Sequence, residues 1–156
     1  MRVSRRVLAV FIVLLALVII GYYVLNLGSC NTYSENLLGD FTINGAGEGR
    51  FVRYVQVSGK SNLMNLSVTI KMDSSEHMVV FKVYNGSLDD ENLIYETSPG
   101  VTISARVGVR NPAKVIYIVV EPTTPITDPM TVYRGEMNFT AEWKSCITLF
   151  DALFGG

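Results

Sequence analysis

The sequence predicts an all-β, antiparallel β-sandwich, jelly-roll or Ig-like, with eight or nine strands, preceded by one N-terminal transmembrane helix. Three observations lead there. Residues 7–27 carry no charge, the region after residue 40 alternates apolar and polar residues with period 2, and turn residues separate those runs with no helical stretch between them. The chain has 156 residues, which suits one domain with an appendage.

The apolar run, VLAVFIVLLALVIIGYYVLNL, would extend about 31 Å as a helix, close to a hydrocarbon core of about 30 Å. Arg2, Arg5 and Arg6 precede it, and no acidic residue occurs before Glu35. This asymmetry predicts a cytoplasmic N-terminus and a single-pass cell-membrane protein, a signal-anchor, with its C-terminal domain extracytoplasmic. Tyr22 and Tyr23 would then lie near the outer interface. Two other readings stay open. Leu27-Gly28-Ser29-Cys30 resembles a bacterial lipoprotein cleavage box, although Asn26 departs from its apolar preference, and an ordinary cleaved signal peptide would have a shorter core.

The organisation expected is a cytoplasmic stretch 1–6, a membrane helix 7–27, a juxtamembrane linker 28–40, a β-sandwich 41–146 and an apolar tail 147–156. Three of the 13 basic residues precede the apolar run. From Cys30 onward ten basic residues therefore face 14 acidic ones, a net of −4. That balance repels phosphate backbones and excludes a nucleic-acid partner. The two cysteines, Cys30 and Cys146, bracket the sandwich and are expected to form a disulfide.

Within the sandwich, Met64–Met72 is apolar at every even position and polar at every odd one. Val101–Val109 and Met137–Trp143 alternate as cleanly. Each reads as a strand with one core face and one wet face. Phe51–Val57, Met78–Tyr84 and Val115–Val120 are apolar on both faces and read as covered, central strands. Shorter strands are expected at Phe41–Ile43, Leu93–Glu96 and Met130–Tyr133. In order, Arg53–Val57, Leu66–Ile70, Val79–Tyr84 and Tyr117–Val120 form a hydrophobic pattern that resembles the exported jelly-roll modules called pre-peptidase C-terminal domains. The resemblance covers about residues 50–122 and implies a non-catalytic, accessory role.

Candidate chemistry is sparse. His77 is the only histidine; its neighbours Ser74, Ser75 and Glu76 share one tight turn, which does not supply the geometry of a Ser-His-acid triad. The loop after Tyr84 gathers Asp89, Asp90 and Glu91, weak calcium candidates without the spacing of an EF-hand. Gly45, Gly47 and Gly49 lead into a strand, not into the helix N-terminus that phosphate cradles need. No cofactor is implied. Tyr84, Tyr95, Tyr117 and Tyr133 are candidates for an aromatic platform, weighed against ordinary strand tyrosines. Asn65, Asn85 and Asn138 begin N-glycosylation sequons.

Two segments are candidates for partner contact, weighed against a plain connector for the first and a cap under the sandwich for the second. Residues 121–129, EPTTPITDP, hold Pro122, Pro125 and Pro129 in a stiff loop. In the tail, Leu149, Phe150 and Phe154 would share one face of a short helix. The function expected is a membrane-anchored, non-enzymatic module that contacts another membrane or surface protein. The accessory subunit of a membrane complex, or a component of a cell or virion surface, would fit. The alternative is an anchored ligand-binding module for a glycan or small solute, with or without calcium.

Overall fold

The computed structural model describes residues 5–26, 28–45, 47, 49–148 and 153. It divides into two compact units, one of residues 1–30 with 146–156 and one of residues 31–145.

The first unit contains helix α1, Arg5–Asn26, and the disulfide between Cys30 and Cys146, whose Cα atoms are 4.0 Å apart. The expected membrane span is overturned. Among the described residues no helix is long and apolar enough to cross a membrane. The single-pass location, the signal-anchor and the membrane as partner fall with it.

The second unit is the expected antiparallel two-sheet sandwich. The strands are β1 (Gly28–Asn44), β2 (Phe51–Gln56), β3 (Ser61–Met72), β4 (Val79–Asn85), β5 (Leu93–Glu96), β6 (Thr102–Arg110), β7 (Val115–Pro122) and β8 (Val132–Thr148), of which residues 28–30 of β1 and 146–148 of β8 belong to the first unit. Sheet 1 has the order β1-β8-β3-β6 and sheet 2 the order β2-β7-β4-β5. Every connection except β4–β5 passes from one sheet to the other. This topology suits a chain whose strands each have one apolar face, because consecutive strands meet across the core.

The alternation read from the sequence decides which side chains meet. Met64, Leu66, Val68, Ile70 and Met72 of β3 are buried while Asn65, Ser67, Thr69 and Lys71 are exposed. Ile103, Val107 and Val109 of β6, and Met137, Phe139, Ala141 and Trp143 of β8, join them from sheet 1. Sheet 2 contributes Val55, Val79, Phe81, Val83, Ile116, Ile118 and Val120. Burying each large side chain contributes about 1.5–3 kcal/mol before chain entropy is counted.

Three details differ from the sequence reading. Residues 28–40, read as a linker, form the first part of β1; Tyr33 and Leu37 pack on the core, and Tyr33 stacks on Trp143 with centroids 5.5 Å apart. The strands expected at 130–133 and 137–143 are one strand, β8, which passes through a buried Gly135 where a Cβ would crowd Lys71, Met72 and Phe41. Finally, β2 is an edge strand with Arg53 and Tyr54 exposed, not a covered central one. Of the three strands read as covered, β4 and β7 are central.

One turn carries a packing constraint. Gly59 has φ +70°, and a Cβ there would overlap the Oγ of Ser145, a buried hydroxyl without a hydrogen-bond partner among the described residues. Trp143 closes the same corner, its indole N–H donating to the Ser58 carbonyl at 3.4 Å.

Two outcomes follow. The disulfide closes a loop of 116 residues, so Cys30→Ser/Cys146→Ser, or reduction, should lower stability by about 5 kcal/mol in the chain-entropy model. Chemical denaturation followed by circular dichroism reads this, and an unchanged midpoint would contradict it. Gly59→Ala should cost about 1–3 kcal/mol through strain and overlap, whereas Ser145→Ala should cost little, because it removes an unpartnered hydroxyl.

Candidate interaction face

The outer face of sheet 2 brings together the groups most suited to recognition. Strand register places Tyr54 opposite Tyr117, and Tyr117 opposite Tyr84, so three tyrosines form one row across β2, β7 and β4. The rings of Tyr54 and Tyr117 lie 6.4 Å apart, tilted by 57°, within the range of favourable aromatic pairs. Exposure falls along the row, from 61% at Tyr54 to 4% at Tyr84. Beside it Val52 and Lys82 flank Val119, and one step further Val80 faces Glu121.

A charge network lies beside the tyrosines. Lys82 Nζ is 2.7 Å from Glu121 and 3.9 Å from Glu96, and Arg50 is 3.8 Å from Glu121. The hydrogen bond to the Glu121 carboxylate holds the Lys82 ammonium above its ordinary 10.5; burial opposes this, and the negative charges around it add to it. Burial likewise pushes the Tyr84 phenol above 10.0, with Lys82 opposing and Glu121 and Asp90 assisting. Below their raised values Lys82 stays charged and Tyr84 uncharged, so this end of the face presents a neutral phenol beside an ion network.

The other candidates are placed as follows. Tyr95 faces inward against Phe81, and Tyr133 stacks on His77 with ring centroids 4.0 Å apart, so neither joins the row. Tyr54, absent from the sequence-derived set, does join it. Its signal was present, since Val55 and Val57 facing inward put residue 54 outside. The His77 Nδ1 is buried with no hydrogen-bond partner among the described residues, and the Ser74 hydroxyl accepts from the Glu76 amide at 3.3 Å.

The Asp89–Glu91 loop is tied within itself. Ser87 donates to Asp89 at 2.6 Å and Asn92 donates to Ser87 at 2.8 Å. Among the described residues no group of three acidic, His or Cys side chains is placed to hold a metal. Asn65 and Asn138 are exposed on the outer face of sheet 1, whereas Asn85 is half-buried and accepts from the Ala113 amide at 2.7 Å. Pro125 and Pro129 are exposed and Pro122 ends β7 half-buried; Pro122 and Pro125 line an open hollow with Arg50 and Glu121. The loop is fixed at its far end by Asp128, which accepts from the Met130 amide at 2.9 Å. Leu149, Phe150 and Phe154 lie outside the described residues.

The outer face of sheet 1 carries a depression of about 420 Å³ lined by Asn65, Ser67, Arg106, Gly108, Thr140 and Glu142. Its floor is low because Gly108 projects no side chain.

The chain matches no family model and no curated protein sequence. Solved structures similar to it include one from Bacillus endospore appendages, described as disulfide-linked pili, at 14% identity over 75% of this chain and 91% of that one, TM-score 0.47. The pre-peptidase C-terminal domain of a Bacillus anthracis collagenase is similar at 16% identity over 75% and 88%, TM-score 0.38. A carbohydrate-binding-module domain of a xylanase from the hindgut metagenome of Trinervitermes trinervoides is similar at 8% identity over 72% and 96%, TM-score 0.36. The module class named from the strand order is thus among them. Likenesses this distant carry no argument about what the chain binds.

The two raised values set a pH dependence. The unfolded chain loses these protons at lower pH than the folded one, so their contribution is complete below about pH 10 and is lost as pH rises further. Urea midpoints measured from pH 8 to 11 should fall at the alkaline end, and less steeply in Lys82→Met/Tyr84→Phe. Equal slopes in the two proteins would contradict the assignment.

Proposed function

We propose that the chain is a non-enzymatic interaction module, an accessory subunit or surface component that docks another protein on the outer face of sheet 2. The observation that carries this reading is the row Tyr54-Tyr117-Tyr84 bordered by paired charges. Tyrosine and arginine are enriched where proteins dock, because a rigid ring buries a large area at little entropic cost and its hydroxyl still finds a partner. Here the strands hold the rings rigidly, and Tyr54 is exposed enough to enter a partner's pocket. Lys82 and Arg50 together balance Glu121 and Glu96, so covering the network leaves no net charge. The outer prolines, Pro125 and Pro129, extend the same contact from the side of Arg50 and Glu121.

The test is site-specific photo-crosslinking in the producing cells, with the reactive residue at Tyr54 and, as a control, at Thr69 on the opposite sheet. One discrete protein adduct is expected from position 54 and none from 69. Tyr54→Ala/Tyr117→Ala should weaken the interaction by roughly thirtyfold, as for an aromatic anchor worth about 2 kcal/mol. No adduct at 54, together with glycan-array binding that the same double substitution abolishes, would replace this reading with the sugar-binding one.

A further inference from the structure

The edges of the two sheets are built differently. Those of sheet 2 are blunted: β5 has four residues and a register shift at Val83/Tyr84, and β2 places Arg53 at a core-facing register position, opposite Ile118. Short edges, bulges and inward charges are devices that stop strands from adding to a sheet. Sheet 1 lacks them. Its edge strand β6 has nine residues in unbroken register with β3, no proline and no bulge.

The backbone of that edge can be oriented. Met72 N–H donates to Val101 C=O and Asn111 N–H donates to Asn62 C=O, at 2.8 and 3.0 Å. Odd-numbered residues of this strand therefore bond to β3, and Thr102, Ser104, Arg106, Gly108 and Arg110 direct their N–H and C=O groups away from it. On the opposite edge, Gly45 N–H donates to Thr131 C=O beside β8. In β1 it is again the even residues, Asn36, Leu38, Asp40 and Thr42, that face outward. Since Phe41 and Ile43 are buried, the side chains of those even residues lie on the outer face. Sheet 1 has four alternating strands, so its two edge strands run in opposite directions and a second molecule can add to the first in the same orientation.

We propose that sheet 1 is an assembly surface for further copies of this chain: β1 of one copy pairs antiparallel with β6 of the next, with Asp40 opposite Arg106. This uses a different surface from the tyrosine row and stands without it.

Charge selects the partner. The charged residues of β6 are Arg106 and Arg110, and those of β1 between residues 31 and 44 are Glu35 and Asp40. Pairing β6 with another β6, centred on the strand, sets Arg106 against Arg106, and pairing residues 36–44 of β1 with the same segment of a second copy sets Asp40 against Asp40, whereas β6 with β1 is complementary.

Shape selects the register. With Asp40 opposite Arg106, Leu38 of the neighbouring copy falls opposite Gly108. Leu38 is 80% exposed, the most exposed leucine among the described residues, and beside Gly108 stands Leu63, 48% exposed, whose Cδ1 is 3.7 Å from where a Gly108 Cβ would be. The missing side chain at Gly108 leaves room for the incoming one. On the core side the same register sets Ile103 against Ile43, Ala105 against Phe41, Val107 against Gly39 and Val109 against Leu37, so large residues meet small ones at the middle of the strand. A slip of two residues either way separates Arg106 from Asp40 and moves Leu38 onto an arginine. Because the surfaces joined are different, the contact is head-to-tail and generates a ring or an open filament.

The test uses the purified full chain. Sedimentation velocity across a concentration series should show masses at successive multiples of the chain. Arg106→Glu and Asp40→Arg should each weaken association at least about tenfold, and the double reversal should restore it. Circular dichroism confirms folding of each variant. Independently, Thr42→Cys/Ser104→Cys should give an intermolecular disulfide ladder on oxidation, since these positions are opposite in the proposed register and both native cysteines are already paired. A monomer throughout the series, association indifferent to the charge reversals, or no ladder from the cysteine pair would each overturn the proposal.

Discussion

The constraint on which the sandwich rests is the two-residue period of its strands. One face of each strand must bury Met64, Leu66, Val68 and Ile70, or their counterparts, and the pleat then commits every second residue to the outside. Parity along a strand thus settles burial, and hydrogen-bond register ties parity to direction at the sheet edge. Burial of Phe41 and Ile43 places Asp40 on the outer face. Burial of Ile103 and Val107 places Arg106 there as well. Neither charge could occupy a core position without a partner, at a cost of several kcal/mol. The core therefore determines which residues remain available for recognition.

The two sheets use this freedom differently. Sheet 2 turns aromatic and apolar side chains outward from its central strands, and an ion network keeps the surrounding charges paired. Its edges are short or, in β2, carry Arg53 at a core-facing register position with its side chain exposed. Sheet 1 turns polar residues outward and leaves long edges, β6 in unbroken register, whose backbone groups point to solvent. One sandwich thus offers two kinds of contact, side-chain docking on a face and main-chain pairing at an edge. The disulfide joins β1 to β8 and holds the edge strand β1 to its neighbour. An edge strand has only one neighbour and buries little, and covalent closure limits the unfolded chain where packing contributes least.

The regular elements were legible in the sequence where burial was one-sided. The strands around Met64–Met72, Val101–Val109 and Met137–Trp143 show strict alternation, and each is a strand with the expected face buried. Residues 28–40 were not legible as a strand. Asn31 to Asp40 presents only Tyr33 and Leu37 inward, too few apolar positions to set a period, and its pairing with β8 is a tertiary fact. Arg134-Gly135-Glu136 looked like a break, yet Gly135 is where β8 passes close to Lys71 and Met72. The apolar N-terminal run predicted a membrane span that the described helix does not supply. Of the tyrosines, Tyr84 and Tyr117 were found by composition, but the row across three strands required the register, which brought in Tyr54 and removed Tyr95 and Tyr133.

The most direct test of this account is residue-resolved amide hydrogen exchange on the dilute full chain. It reads parity and edge direction without reference to any ligand. The account requires protected amides at Ile103, Ala105, Val107 and Val109, which bond to β3, and fast exchange at Ser104, Arg106 and Gly108, which face open solvent. Reversed protection, or uniform protection along β6 in dispersed molecules, would show that the register is not the one described.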